Sequence, residues 1–165
     1  MPQEITHTFD PVYDQASKIL ILGTMPSPKS RKNGFYYGNP QNRFWPVLAE
    51  VLSDELPVNN EEKQKFLHKH HIALWDVVHS CSIEGASDGS IRNPVPNDIT
   101  RVLKAAPIGA VFTTGKKAEE LYKRYCLPQT GVQAIYLPST SPANTGRFPF
   151  AELVSAYRCI LLYLN

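Results

Sequence analysis

The sequence predicts an α/β fold, a three-layer α/β/α sandwich whose middle layer is a four-stranded parallel sheet. Three observations lead there. Short, nearly continuous apolar runs recur at residues 18–23, 71–78, 109–114 and 133–137, as strands buried on both faces do. The stretches between them carry apolar residues at helical spacing, and strand alternating with helix argues for parallel strands joined by crossovers on both faces. Each run also ends in a cluster of Gly, Ser, Pro or Asp, the residues that punctuate turns.

In chain order, Lys18-Ile-Leu-Ile-Leu-Gly23 is the first strand, closed by its glycine. From Asn42 the period changes: Phe44, Val47, Leu48, Val51 and Leu52 predict a helix capped by Asn42. Pro46 is tolerable there, because a first-turn N–H has no intrahelical partner. A charged helix over about 60–70 leads into the second strand, His71–Val78. Glu84–Asn97, rich in Gly, Ser, Asp and Pro, predicts a long loop of the kind that is often functional. Asn97 or Asp98 then caps a helix through Ala106, Gly109–Thr114 is the third strand, and Lys116–Tyr125 a further helix. Gln133–Leu137 is the fourth strand, followed by a polar loop and a closing helix over about 150–164.

Composition sets bounds on function. With 165 residues, 42% hydrophobic and 19% charged, the chain suits a single soluble domain. A chain of this length buries roughly 70% of its unfolded surface, so its core needs neither disulfides nor a structural metal. Cys81, Cys126 and Cys159 are scattered, without C-x-x-C spacing, and are expected to be reduced thiols of a cytoplasmic protein. No apolar run approaches a membrane span, and Met1–Thr8 lacks the pattern of a signal peptide. The formal charge of +2 neither announces nor excludes a nucleic-acid partner.

Parallel sheets place their chemistry at the carboxyl ends of the strands. Here those ends are Gly23-Thr-Met-Pro-Ser27, Trp75-Asp76, Thr113-Thr-Gly-Lys116 and Leu137-Pro-Ser-Thr-Ser-Pro-Ala-Asn144. They offer hydroxyls, amides and the lone carboxylate Asp76. None of the five histidines falls in the loops at ends one, three and four, so a Ser-His-Asp nucleophile is not expected. His68, His70 and His71 cluster on a charged helix end, where solvated side chains are a commoner outcome than a metal site, and no metal is expected. The first turn matches neither a dinucleotide nor a triphosphate cradle.

The segment 24–46 stands apart. It carries Lys29, Arg31, Lys32 and Arg43 without an acid, interleaved with Phe35, Tyr36, Tyr37, Phe44 and Trp45. Cations beside aromatics suit a partner with phosphates and stackable bases. The alternative is a solvated basic loop ahead of a core helix; Phe44 and Trp45 fit that core, whereas Tyr36 and Tyr37 fit either a core or a ligand face.

Gly23-Thr-Met-Pro-Ser27 followed by Phe35-Tyr-Tyr-Gly-Asn-Pro-Gln-Asn-Arg-Phe-Trp45 resembles the first motif of the uracil-DNA glycosylase superfamily. Ser139-Thr-Ser-Pro-Ala-Asn144 resembles its second motif, and Gly115-Lys-Lys-Ala118 its phosphate turn. The resemblance spans roughly residues 17–164. Two positions depart from the superfamily pattern: Met25 stands where a catalytic Asp or Asn is common, and Ser139 where a His is. This doubly altered pattern, with Asn39 inside the first motif, resembles the hypoxanthine-DNA glycosylase branch.

That resemblance implies a DNA-repair enzyme that flips a deaminated base, hypoxanthine first, out of DNA and hydrolyses its N-glycosidic bond, with Asn39 as the key polar residue. It implies Tyr37 as the stacking face for the base. Backbone N–H groups around Thr24–Ser27 and the Asn39 carboxamide then stabilise the charge on the departing base. By itself, Asn39 before Pro40 also reads as a turn residue, and Asp76 as a loop anchor rather than a base contact. Gly23, Thr24, Met25, Tyr37, Asp76 and Ser139 form the expected base pocket. Ser27, Lys29, Ser30, Arg31, Lys32, Gly115, Lys116, Ser141 and Asn144 are the expected phosphate contacts, with Arg147 as a duplex wedge. No cofactor is expected, since water breaks the bond, and the protein is expected to act on DNA as a monomer. The competing readings are a mismatch uracil/thymine glycosylase and a non-catalytic lesion-binding module.

Overall fold

The computed structural model, which describes residues 3–7, 9–84 and 88–165, turns the four apolar runs into one parallel sheet. Its strands are β2 (Ile19–Gly23), β3 (Ile72–Asp76), β6 (Ala110–Thr114) and β7 (Ala134–Leu137), in the order β3-β2-β6-β7. The registers pair Gly23 with Asp76, Leu22 with Thr113 and Thr114 with Leu137, so all four carboxyl ends line one edge. Every residue of β2, β3 and β6 is buried. That is why these runs are continuous rather than alternating.

Helices α1 (Pro28–Asn33), α2 (Phe44–Val51) and α3 (Asn60–Lys69) connect β2 to β3. Helix α4 (Thr100–Ala105) connects the second strand region to β6, and α5 (Lys116–Leu121) opens the connection from β6 to β7. The first connection runs outward to β3 and the next returns past β2. Right-handed crossovers therefore place α1–α3 and α4–α5 on opposite faces, the sandwich the sequence predicts. The direction of winding reverses between β2 and β6, and a crevice opens at such a reversal. Closing helix α7 (Phe150–Tyr157) packs on α2, and the chain then tightens into 3-10 turns over Arg158–Tyr163.

The N-cap of α2 is Arg43 rather than the expected Asn42; Asn42 sits one residue earlier, where its Oδ1 accepts the Phe44 N–H at 2.9 Å. Phe44, Trp45, Val47, Leu48, Ala49 and Val51 are all buried. After α5 the helix widens into a π turn over Tyr122–Cys126 before α6 (Leu127–Thr130). Burial pushes the Cys126 thiol up to about 11. Among the described residues, no helix is long and apolar enough to cross a membrane.

A second sheet departs from expectation. The run 71–78 is not one strand: β3 ends at Asp76, the chain turns at Val77, and β4 (Val78–Ile83) enters an antiparallel sheet ordered β1-β4-β5 with β1 (Gln3–Thr6) and β5 (Arg92–Pro96). The turn is held to the first motif by Val77 N–H to Gly23 O at 2.8 Å and Val78 N–H to Thr24 O at 3.1 Å. The expected long loop 84–97 thus contains β5, whose Pro94 and Pro96 disguise it; proline is tolerated because β5 is an edge strand. Residues 85–87 of that loop lie outside the described residues, as do Met1, Pro2 and Thr8 of the N-terminal segment. Asn97 caps no helix. It is buried, and its Nδ2 donates to Asp76 O at 2.9 Å and Val78 O at 3.3 Å, stitching the two sheets together. Asp98 accepts the Thr100 hydroxyl instead.

Candidate active site

A cavity of about 170 Å³ opens at the carboxyl edge of the parallel sheet. Its lining includes Gly23, Thr24, Met25, Tyr37, Asn39, Asp76, Thr114 and Ser139, so three strand ends and the last loop converge there. Gly23 is required by crowding: a Cβ at that position would lie 2.5 Å from Asp76 Oδ1 and 2.9 Å from Tyr37 Oη. The carbonyls of Gly23 and Thr24 are occupied by the Val77 and Val78 N–H groups. The N–H groups of Thr24 and Met25 have no backbone or side-chain acceptor among the described residues. They are donors available at the cavity.

The first-motif loop is built locally. Ser27 caps α1, its Oγ accepting the Ser30 N–H at 3.1 Å, and the chain reverses at Gly34 with φ +82°. Phe35 and Tyr36 then turn inward, while Tyr37 sits at the cavity with φ +53°. A non-glycine residue in that region costs about 1–3 kcal/mol, and such residues gather at functional sites. The position is held from two sides: the Tyr37 ring stacks on Phe44 at 3.8 Å and 12°, and its hydroxyl lies 3.1 Å from Thr114 Oγ1. One ring face is thus taken by the core.

Asn39 follows as a turn residue and a cavity residue at once. Its Oδ1 accepts the Gln41 N–H at 2.9 Å and its carbonyl accepts the Asn42 N–H at 2.9 Å. With the oxygen engaged, the amide NH2 has no partner among the described residues. The two sequence readings of Asn39 are therefore compatible, because the turn is what orients the carboxamide.

Asp76, at the end of β3, is 4% exposed and lines the cavity. Its Oδ2 lies 2.8 Å from Nε2 of His7, which follows β1 and is itself buried. The ring's other nitrogen, Nδ1, accepts the Phe9 N–H at 3.2 Å. His7 is absent from the sequence-based set, and nothing local marks it.

The fourth wall is the loop after β7. Ser139 Oγ accepts the Ser141 N–H at 3.1 Å, and Asn144 Nδ2 donates to Ser139 O at 2.9 Å. Thr140 Oγ1 donates to Asn42 Oδ1 at 2.7 Å, and the Arg43 N–H to Thr140 O at 3.1 Å, which joins this loop to the first motif. Gly115, with φ +86°, lets the turn after β6 pass Ser139: a Cβ there would sit 3.3 Å from the Ser139 Cβ. Beside it, the Tyr157 hydroxyl donates to Pro138 O at 2.6 Å, and burial holds that phenol well above its ordinary range.

The expected basic face is narrower than the sequence suggests. Lys29, Lys32, Lys116 and Arg147 are exposed, and Ser27, Ser141 and Asn144 half-buried. Arg31 is tied back by Nη1 to Pro26 O at 2.7 Å. Ser30 is buried, and its hydroxyl takes the Gly38 N–H at 2.9 Å and the Ser27 hydroxyl at 3.1 Å; it shapes the loop from beneath rather than facing a phosphate. Arg43 also points inward. Its Nη1 donates to Phe148 O at 2.5 Å, while Nε and Nη2 are buried without partners. Tyr36 resolves to core: it is 2% exposed and its hydroxyl donates to Asp10 O at 2.9 Å. Burial, then the Asp76 carboxylate, pushes its phenol well above the ordinary value.

Two of the three clustered histidines at the end of α3 lie against acids. His70 Nε2 lies 2.8 Å from Asp54 Oδ2, and His68 Nδ1 lies 3.1 Å from Asp14 Oδ2. The His70 and Lys69 hydrogen bonds hold the Asp54 carboxyl well below the usual carboxylate range.

A family model described as the uracil DNA glycosylase superfamily matches residues 11–161. The chain is 35% identical over 142 residues to a Methanosarcina acetivorans protein named hypoxanthine DNA glycosylase, covering 85% of this chain and 89% of that protein. A Methanosarcina barkeri protein of the same name is 33% identical over 138 residues, or 82% of this chain and 86% of its own. Among solved structures, a solution NMR structure of a candidate uracil DNA glycosylase from Methanosarcina acetivorans superposes with a TM-score of 0.79 at 32% identity. That superposition covers 96% of this chain and 99% of the other.

Proposed function

The chain belongs to the uracil DNA glycosylase superfamily, and we propose that within it this DNA glycosylase hydrolyses hypoxanthine from DNA. One observation carries the choice of base. The cavity presents an Asn39 carboxamide oriented by its own turn, while Met25 and Ser139 occupy the positions where an Asp or Asn and a His are common. The names of the two Methanosarcina relatives favour the same base.

The chemistry follows from those groups. A base stacked in a duplex is out of reach, so the nucleotide rotates into the cavity at a cost of roughly a few kcal/mol. The Tyr37 ring face opposite Phe44 receives the base. As the C1′–N9 bond breaks, its electron pair moves onto the base and the sugar becomes oxocarbenium-like. The Thr24 and Met25 N–H groups and the Asn39 amide meet that developing negative charge, the role in which fixed donors contribute most. Water adds its oxygen to C1′, and its proton passes to the departing base or to solvent. Asn39 can donate to the base or orient the water; an amide is no general base at neutral pH. Ser27 and Ser141 at the cavity, with Lys29, Lys32, Lys116 and Asn144 beyond it, position phosphates, and Arg147 fills the vacated stack; Gly115 drops out of that set, being buried with its N–H donated to Leu137 O at 2.8 Å. The enzyme works as a monomer in the cytoplasm and uses no cofactor.

The test is single-turnover base release from inosine- and uracil-containing duplexes by wild type and Asn39→Ala. Hypoxanthine release that falls about a hundredfold in the variant supports the reading. Uracil released with hypoxanthine untouched overturns the substrate. Tight binding with no release at any enzyme excess makes the protein a lesion-binding module.

A further inference from the structure

Thr114 has no role in the bond-breaking chemistry above and stands outside the expected base pocket, yet it lines the cavity at the end of β6 and is 8% exposed. The direction of its hydrogen bonds follows from counting protons. Its Oγ1 donates to Leu22 O on the neighbouring strand at 3.3 Å, and a carbonyl can only accept. A hydroxyl carries one proton, so the same oxygen must accept from the Tyr37 hydroxyl, 3.1 Å away. Tyr37 donates to Thr114, and Thr114 passes the hold to β2.

The stack on Phe44 leaves one freedom to that bond. Parallel rings resist tilt and separation but slide over one another at low cost, and aromatic pairs accept centroids roughly 4.5–7 Å apart. The Tyr37 and Phe44 centroids are 3.8 Å apart at 12°, so the stack sets the plane of the Tyr37 ring. Its place within that plane needs a contact at the ring edge, which the hydroxyl makes. The anchor is stiff, because Thr114 is β-branched and restricted at χ1 and belongs to a strand buried along its whole length. The Tyr37 backbone, at φ +53°, is itself in a conformation that persists only where the surroundings over-determine it.

We propose that Thr114 is a positioning residue for base release: it ties the Tyr37 ring to the end of β2 and so sets where, within the plane of the stack, the extracted base lies against its hydrogen-bond donors. The proposal rests on the glycosylase reading, in which the base stacks on Tyr37, and names the group that registers that face. The donors it serves, the Thr24 and Met25 N–H groups, directly follow β2 (Ile19–Gly23), whose Leu22 carbonyl receives the Thr114 proton. Ring and donors are thus referenced to the same strand end. A slip of the ring by about 1 Å keeps the stacked area but carries the base off the donors, a displacement of the size that costs up to about a hundredfold in rate.

Single-turnover release of hypoxanthine, measured against enzyme concentration, gives a maximal rate and a half-saturating concentration. Thr114→Val keeps the side-chain shape and removes the hydroxyl. Its maximal rate should fall about tenfold or more, while half-saturation stays within about twofold of wild type, the scatter of uncoupled changes. Thr114→Ser, which returns the hydroxyl, should recover most of that loss. Tyr37→Phe cuts the same bond from the other side, so the double variant Tyr37→Phe/Thr114→Val should match the slower single variant within about twofold.

A maximal rate within about twofold of wild type in Thr114→Val, no recovery in Thr114→Ser, or losses that multiply in the double variant overturn the proposal and leave the glycosylase intact. If Thr114→Val does not fold, Tyr37→Phe decides, because it leaves the Thr114 bond to Leu22 in place. A normal maximal rate in that variant overturns the proposal, and a loss of about tenfold at unchanged half-saturation supports it. A wild type that releases no deaminated base sinks the underlying reading, and this proposal with it.

Discussion

Two walls of the cavity differ in origin. The wall from Thr24 to Phe44 is built by neighbours in sequence: the Ser27 cap, the reversal at Gly34, the Tyr37 stack on Phe44 and the Asn39 turn all close within a few residues. The wall made by Asp76 is held by His7, 69 residues away, and by Asn97 from the far side of the second sheet. A local wall leaves a motif. A wall assembled by topology leaves single residues without context.

Gly23 is where the walls meet, and Gly23→Ala carries the largest effect expected here. The new methyl would press on Asp76 Oδ1 and Tyr37 Oη together, and each is anchored elsewhere, to His7 and near Thr114. Overpacking of this kind costs about 1–3 kcal/mol of stability. Base release should fall by about a hundredfold, because displacement of reacting groups by about 1 Å has that effect. Chemical denaturation and single-turnover kinetics check both numbers. Near-normal release would mean that one wall yields freely, and that the pocket is less fixed than its contacts indicate.

The same contrast explains what the sequence reveals. The four-stranded sheet is legible because double-sided burial demands continuous apolar runs, as at Ile19–Leu22 and Val111–Phe112. The place of Asn39, Tyr37 and Asp76 in the cavity lining is legible because strand ends and a motif point to them. Strand β4 is hidden because Val77 and Val78 prolong the run of β3 without a break, and β5 because its prolines imitate a loop. His7 is hidden twice, by sequence distance and by lying in a strand-end segment with no motif. Arg43 misleads in the opposite sense: its sequence setting counts it with the cations of the loop, and only packing turns it inward to Phe148.

Arg43 ties the local wall to the loop after β7. Arg43→Met removes its hydrogen bond to Phe148 O, a loss of about 1.5–3 kcal/mol for a charged donor. It also removes two buried, unpaired guanidinium nitrogens, whose desolvation opposes folding by a similar order. The two effects offset, so stability should stay within about 1 kcal/mol of wild type. Release should nevertheless drop about tenfold, as the tether between Asn42–Arg43 and the Ser139–Phe148 loop loosens. A large fall in melting temperature with normal kinetics per folded molecule would make Arg43 a post of the fold alone.

The smallest effect lies outside both walls. On α1, Lys29 and Lys32 are exposed, whereas Arg31 is tied to Pro26 O. An exposed lysine that neutralises one phosphate contributes through counterion release, equally for damaged and undamaged DNA. Lys32→Ala should therefore lower the slope of log affinity against log salt by about 0.9 and weaken both duplexes by the same factor. Fluorescence anisotropy on inosine-containing and undamaged duplexes over a salt series measures both. A variant that weakened only the inosine duplex would move Lys32 from the phosphate face to the base, and would show that the local wall extends beyond the Asn39 turn.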